Sequence, residues 1–248
     1  MKNAQQGQYT RPQGATFFGF CQLRCLRSLP EAPVPLRPVI ATLADERKAC
    51  VVKLGCNGIE YNFVLIPLVF DGKPVQNIFG QKNNKTVAKT IEHKRYAKFN
   101  IEVIQKYSKD LDKPLGEFLL QLKTEKDEFY KRFLNKYGDL TYSIFAISDS
   151  AYFNRKGVYA YLLDGELKYI GRCKDSMKKR VNQGYGKIHP KNCYLDGQAT
   201  NCHLNARITE KDGNVTLWLC QIESKSEIEK VERELIRRFA PPWNIQRG

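Results

Sequence analysis

The sequence predicts an α/β protein of the α+β kind, a short mixed or antiparallel sheet flanked by helices. Three observations carry that expectation. The β-prone runs Val158 to Leu163 and Leu167 to Ile170 flank Asp164-Gly165, a dipeptide that closes tight hairpins. Val51 to Leu54 and Tyr61 to Phe70 read as further strands, and Leu115, Phe118, Leu119 and Leu122 recur at helical spacing. Near the end of the chain, Ser226 with Glu229 forms a capping box ahead of Ile228, Val231, Leu235 and Ile236 on one helical face.

Taken in order, residues 1–48 read as an irregular arm or linker. Gln, Gly and Asn crowd its start, and prolines punctuate residues 29–38. Residues 49–150 read as an N-terminal α+β domain that grips DNA or makes dimer contacts. Pro67 marks an edge or a bulge in its strand, and Asp71-Gly72-Lys73-Pro74 reads as a turn. Residues 85–107 read as helical and basic, with Val87, Ile91, Ile101 and Ile104 facing inward. The next helix opens at Pro114, and Phe129, Phe133 and Leu134 extend its face. Leu140 to Ile147 is one more strand. The polar stretch Ser148 to Lys156 marks a boundary, and residues 151–248 form the second domain.

The 248 residues carry a formal net charge of +15, of which +8 falls before residue 150 and +7 after it. A charge spread over the whole chain favours a polyanion, nucleic acid first. No apolar run reaches the ~18 residues of a membrane span. The apolar stretch from Ala15 to Leu26 is broken by Cys21, Gln22 and Arg24, so a cytoplasmic protein with no membrane partner is expected. Eight cysteines at spacings that fit no standard zinc pair read as reduced, mostly buried thiols.

Register decides what the hairpin can do. A two-residue Asp164-Gly165 loop pairs 160 with 169 and puts Tyr159 and Tyr169 on opposite faces. A three-residue loop, 163–165 with Gly165 left-handed, or a bulge of the same parity, puts both on one face. Apolar segregation favours the first arrangement; a shared active site needs the second, which is the one expected here.

The run Gly157-Val-Tyr159, ten residues, then Tyr169-Ile-Gly171 is followed by Lys178-Lys-Arg180-Val, by Glu232 ahead of Leu235-Ile236, and by Pro241-Pro-Trp-Asn244. In order and spacing these residues resemble the GIY-YIG nuclease family over roughly 155–248. The resemblance implies a small nuclease domain and a role for each residue. Tyr159 acts as general base or holds the attacking water, and Tyr169 orients phosphate or water. Arg180 binds the scissile phosphate. Glu232 binds the single metal, Mg²⁺ or Mn²⁺, and Asn244 braces the site. A histidine or tyrosine usually follows the arginine by four. Here that position is Gly184, so the role passes to Tyr185, with His189 as the fallback. The residue chemistry agrees: a planar arginine fork suits phosphate, and a lone carboxylate suits a hydrated hard cation. Glu232 also sits at the edge of an apolar face, where a carboxylate needs a partner.

Lys174, Lys178, Lys179, Lys187 and His189 are expected to meet DNA phosphates. Thr200, Asn201, His203, Asn205 and Arg207 are residue types that read a groove. The resulting expectation is a divalent-metal-dependent DNA endonuclease acting on double-stranded DNA. A type II restriction enzyme working as a homodimer or higher homo-oligomer leads, because no zinc finger or other accessory module is evident. A homing or repair endonuclease, or a non-catalytic nucleic-acid-binding protein on the same scaffold, are the alternatives.

Overall fold

The computed structural model describes residues 39–41, 51–210 and 214–245. Among these residues, eight strands and seven α-helices run in chain order: β1 (Val39–Ala41), β2 (Val51–Cys56), β3 (Ile59–Ile66), β4 (Leu68–Val75), α1 (Val87–Ile91), α2 (Asn100–Lys106), α3 (Leu115–Thr124), β5 (Tyr142–Ile147), β6 (Gly157–Leu163), β7 (Glu166–Cys173), α4 (Met177–Arg180), α5 (Pro190–Cys193), α6 (Ala199–Thr209), β8 (Val215–Gln221) and α7 (Lys225–Phe239). The fold is mixed α and β, as expected. Six strands form one antiparallel sheet in the order β1-β2-β3-β8-β6-β7, and β4 pairs with β5 in a second, two-stranded sheet.

The sheet runs across the boundary expected near residue 150. Val64 to Ile66 of β3 pair with Leu217 to Leu219 of β8. The described residues all fall in one compact unit, Pro35–Gly248. The second half also fills the first half's core: Cys193, Tyr194, Cys202 and Ala206 pack with Phe79, Tyr96, Phe118 and Phe133. The polar stretch 148–156 is no linker. It caps the N-terminus of α4, whose first N–H groups lack helical partners. Met177 N donates to the Arg155 carbonyl (3.2 Å), Lys178 N to the Phe153 carbonyl (3.1 Å), and Ser176 Oγ to that same carbonyl (2.7 Å).

Other expectations shift for local reasons. Pro67 does more than sit at an edge: there the chain leaves the large sheet and enters the small one, because proline has no N–H for a ladder. Asp71-Gly-Lys-Pro74 lies within β4 as a bulged irregularity between Asp71 and Val75. The basic helix over 85–107 breaks into α1 and α2, and Ile101 and Ile104 face outward at 68% and 49% exposure, whereas Val87 and Ile91 are buried. The N-cap of α7 is Ser224, accepting from Glu227 N, not Ser226. Of the arm expected over 1–48, only β1 lies within the described residues. The five cysteines described there, Cys56, Cys173, Cys193, Cys202 and Cys220, are buried free thiols.

Two hydrophobic layers cover the sheet. Val158, Ala160, Leu162 and Ile170 pack against Ile228, Val231 and Leu235 of α7. Tyr159, Tyr161 and Tyr169 pack on the other face against Met177, Val181, Tyr185 and Leu204. β6, buried along both faces, is the spine; β7 is the outer strand.

An outer strand leaves main-chain groups unpaired. At β7 the C-terminal turn supplies them with partners. Ile170 N donates to Asn244 Oδ1 (3.0 Å), and Asn244 Nδ2 donates to the Ile170 carbonyl (2.8 Å). Replacing Asn244 with Ala removes both bonds and is expected to lower unfolding free energy by about 1–2 kcal/mol. Urea denaturation measures this; an unchanged midpoint would show that water replaces the side chain without loss.

Candidate active site

The hairpin resolves its register conflict with a bulge. Asp164 and Gly165, at φ 50° and 79°, form the two-residue turn that the dipeptide favours, and Leu163 pairs with Glu166. Continued unbroken, that register would separate Tyr159 from Tyr169. Lys168 is instead extruded: Leu162 pairs with Leu167, but Tyr161 pairs with Tyr169. The expected three-residue loop is therefore corrected to a two-residue loop plus a bulge, with the same parity. Trp243 N donates to the carbonyl of the extra residue, Lys168 (2.9 Å).

Both tyrosines now face α4. Their ring centroids lie 6.2 Å apart, and Tyr185 completes a triangle at 6.2 Å from Tyr159 and 6.4 Å from Tyr169. The Tyr159 and Tyr185 hydroxyls are 2.8 Å apart. The two glycines of the tripeptides make this packing possible. A Cβ at Gly171 would lie 2.5 Å from Tyr159 Oη and 2.7 Å from the Tyr169 ring. Gly157, at φ 148°, brings its backbone so close to β8 that a Cβ would meet the Cys220 carbonyl at 2.0 Å.

Tyr185 reaches this cluster through a π-helical turn, Val181–Tyr185, that continues α4. The i→i+5 bonding of a π turn adds one residue to the helical repeat. A side chain five residues after Arg180 thus takes the direction that one four residues on would have in an α-helix. His189, by contrast, caps α5: its Nδ1 accepts from Lys191 N (3.2 Å), and it does not join the tyrosines.

Glu232 arrives from the opposite face of the sheet. Because β7 is the outer strand, both faces open onto one cleft, of about 650 Å³, lined by Tyr159, Tyr169, Arg172, Arg180, Tyr185, Glu232 and Asn244. Five separate elements and the C-terminal turn thus bring together all six residues expected to act. Arg172 was not anticipated from the sequence. Two residues after Ile170 on β7, it shares the face turned toward α7, and its Nη1 donates to Glu232 Oε2 (2.6 Å). The only signal for it was its place directly after the second tripeptide. Burial pushes the Glu232 carboxyl above its usual range; Arg172 and Arg180 oppose this without overcoming it. Burial also raises the Tyr159 hydroxyl well above the ordinary phenol value, with Tyr185 and Tyr169 adding to the effect and Arg180 working against it. Tyr159 is therefore a neutral hydroxyl at neutral pH.

Among the described residues, no group of three or more His, Cys, Asp or Glu side chains converges to cage a metal. One carboxylate, with one oxygen already taken by Arg172, leaves a cation there most of its shell as water and substrate oxygens, which is what Mg²⁺ prefers.

The residues expected to meet DNA divide. Thr200 and Asn201 line the cleft, and Lys174, Lys179 and His189 line its neighbour. Lys178 lies 4.8 Å from the Phe153 ring centroid, Lys187 is exposed, and Arg207 pairs with Glu210 (2.8 Å). His203 and Asn205 do not read a groove, because both are buried and bonded to main chain. His203 Nε2–H donates to the Trp243 carbonyl (2.9 Å). Asn205 accepts from Ser143 N (2.9 Å) and donates to the carbonyls of Ser143 (2.8 Å) and Tyr185 (2.6 Å). Helical periodicity cannot separate such residues from exposed ones, since α6 is buried around most of its circumference.

The raised Glu232 carboxyl has a signed consequence. A carboxyl with a folded value above the unfolded one, about 4.3, makes the native state lose stability as pH climbs from the unfolded value through the folded one. Glu232→Gln carries no such penalty. Its melting temperature is expected to gain on the wild type over that window and to hold the gain at neutral pH. A variant less stable than the wild type at pH 7 would instead make Glu232–Arg172 a structural ion pair.

Comparison with protein-family models, with curated proteins and with solved structures gives no match.

Proposed function

We propose that the chain is a divalent-metal-dependent DNA endonuclease of the GIY-YIG kind, with type II restriction as its setting. One observation carries the reading: three tyrosines, two arginines and a half-buried glutamate, from both faces of the sheet, meet in one cleft. A burial-raised carboxylate beside two arginines and three buried phenols is expensive to assemble for stability alone.

The residues divide the work of hydrolysing a phosphodiester. Arg180 has no acidic partner among the described residues, and its planar fork is free to take two phosphate oxygens. It stabilises the charge that grows on those oxygens as the nucleophile attacks. Tyr159, neutral and held by Tyr185, orients the nucleophile or a phosphate oxygen through its hydroxyl. Tyr169 closes the other side of that pocket. Glu232 offers the hard oxygen that would hold Mg²⁺ or Mn²⁺, and Arg172 keeps the carboxylate turned into the cleft. A divalent cation supplies Lewis-acid polarisation of a phosphoryl oxygen. Asn244 and Trp243 keep Tyr169 on the working face of the hairpin. With one such cleft among the described residues, a double-strand cut takes two copies or two successive nicks.

Supercoiled plasmid incubated with the full chain in Mg²⁺ is the test. Nicked and linear products are expected in Mg²⁺ or Mn²⁺ and not in a chelator. Glu232→Ala should abolish cutting while leaving DNA binding, and Arg180→Ala should slow it by about 100-fold or more. Cutting that persists in Glu232→Ala, or no cutting by the wild type on any DNA, would overturn the reading.

A further inference from the structure

A second cleft of about 850 Å³ adjoins the tyrosine cleft, and the two share Arg180, Gly197, Gln198 and Asn201. Its wall is assembled from distant parts of the chain: Lys85 ahead of α1, Lys179 on α4 and Lys191 on α5. Five cations line it, Lys174 and Arg180 being the others, against the carboxylates Asp175 and Asp196. Two of the cations are already neutralised: Lys85 by Asp196 (2.5 Å) and Lys174 by Glu229. Lys179, Arg180 and Lys191 have no acidic partner among the described residues.

Unneutralised cations around a concave wall concentrate positive potential there. The side-chain amides Gln183, Asn192 and Gln198 lie between them, a residue type that bonds phosphate and sugar without regard to sequence. Phosphates repeat along a nucleic-acid strand, so several unneutralised cations on one open wall suit a phosphate backbone better than a single small anion. Arg180 belongs to both clefts, so a strand lying in one passes directly into the other.

We infer that this second cleft is the track for the backbone of the cut DNA strand on one side of the bond to be cut, with Lys179 and Lys191 contacting its phosphates. The ligand's identity rests on the nuclease reading; the cleft adds the path the strand takes and the two lysines that hold it.

Fluorescence anisotropy with a labelled single-stranded oligonucleotide tests the inference, using the full chain carrying Glu232→Gln so that nothing is cut. Adding Lys179→Ala and Lys191→Ala should weaken binding at least tenfold near 0.1 M salt. The slope of log affinity against log salt should fall by about 1.4, at ~0.7 per single-strand phosphate. Lys179→Arg with Lys191→Arg should keep the slope. Lys73→Ala with Lys230→Ala, exposed lysines outside the cleft, should leave it unchanged. Both cleft lysines are exposed, so the melting temperature checks that folding is unaffected. An unchanged slope, or an equal loss in the control pair, overturns the inference. The parent reading is scored separately, by cleavage with the wild type in Mg²⁺. A wild type that cuts with an unchanged slope refutes the track alone. A wild type that never cuts while the slope still falls keeps the track and removes the nuclease.

Discussion

The hydrogen bond from Trp243 N to the Lys168 carbonyl holds the feature on which the site depends, the one-residue bulge in β7. A two-residue Asp-Gly turn is the locally favoured closure, and on its own it would send Tyr169 to the α7 face. The bulge reverses that parity after three residues. An extruded residue leaves its carbonyl without a ladder partner, and an unsatisfied carbonyl favours slipping back into regular register. The C-terminal turn supplies the missing partner at Lys168 and, through Asn244, the next pair at Ile170. His203 in turn holds the Trp243 carbonyl from α6. Residues far apart in the chain thus set the side on which one tyrosine stands.

The other components depend on that choice. With Tyr169 beside Tyr159, any side chain on the residue paired with Tyr159 would strike both rings, and Gly171 stands at that position. Tyr185 then reaches Tyr159 only because a π turn shifts it by one residue. Because the hairpin ends the sheet, Glu232 can reach the tyrosine side although its helix packs on the other face. Two departures from regular geometry, a bulge and a π turn, place tyrosines in one cleft. Such departures oppose regular packing and persist where surrounding contacts hold them, a pattern that accompanies working sites.

Much of this was legible in the sequence, unevenly. The strands, the Asp-Gly hairpin and the apolar faces of α3 and α7 arise from local patterns. That these six residues would come together in one cleft was legible from the two tripeptides and from the spacing of Arg180, Tyr185, Glu232 and Asn244 after them. The bulge was legible only as a conflict, because apolar alternation and a shared site demanded opposite registers. Its cause, Trp243, lies too far along the chain for any local rule to weigh. The domain boundary at 150 misled because polar residues that cap α4 are indistinguishable by composition from a linker. Ile101 and Ile104 look inward on a continuous helix, but the break between α1 and α2 rotates them out. His203 and Asn205 carry donors suited to a groove and use them on buried main chain. Arg172 gave no signal beyond its position, because one charged residue on a strand usually faces water.

The central claim is that the tyrosines, Arg180 and Glu232 form one cation-dependent centre. Paramagnetic relaxation by Mn²⁺ tests it without relying on turnover. On titrating Mn²⁺ into protein labelled at tyrosine rings, the signals of Tyr159, Tyr169 and Tyr185 should broaden first and saturably, while that of Tyr130, in the separate aromatic core, stays sharp. Glu232→Gln should abolish the selective broadening. Broadening spread evenly over all tyrosines, or unchanged by Glu232→Gln, would contradict the account.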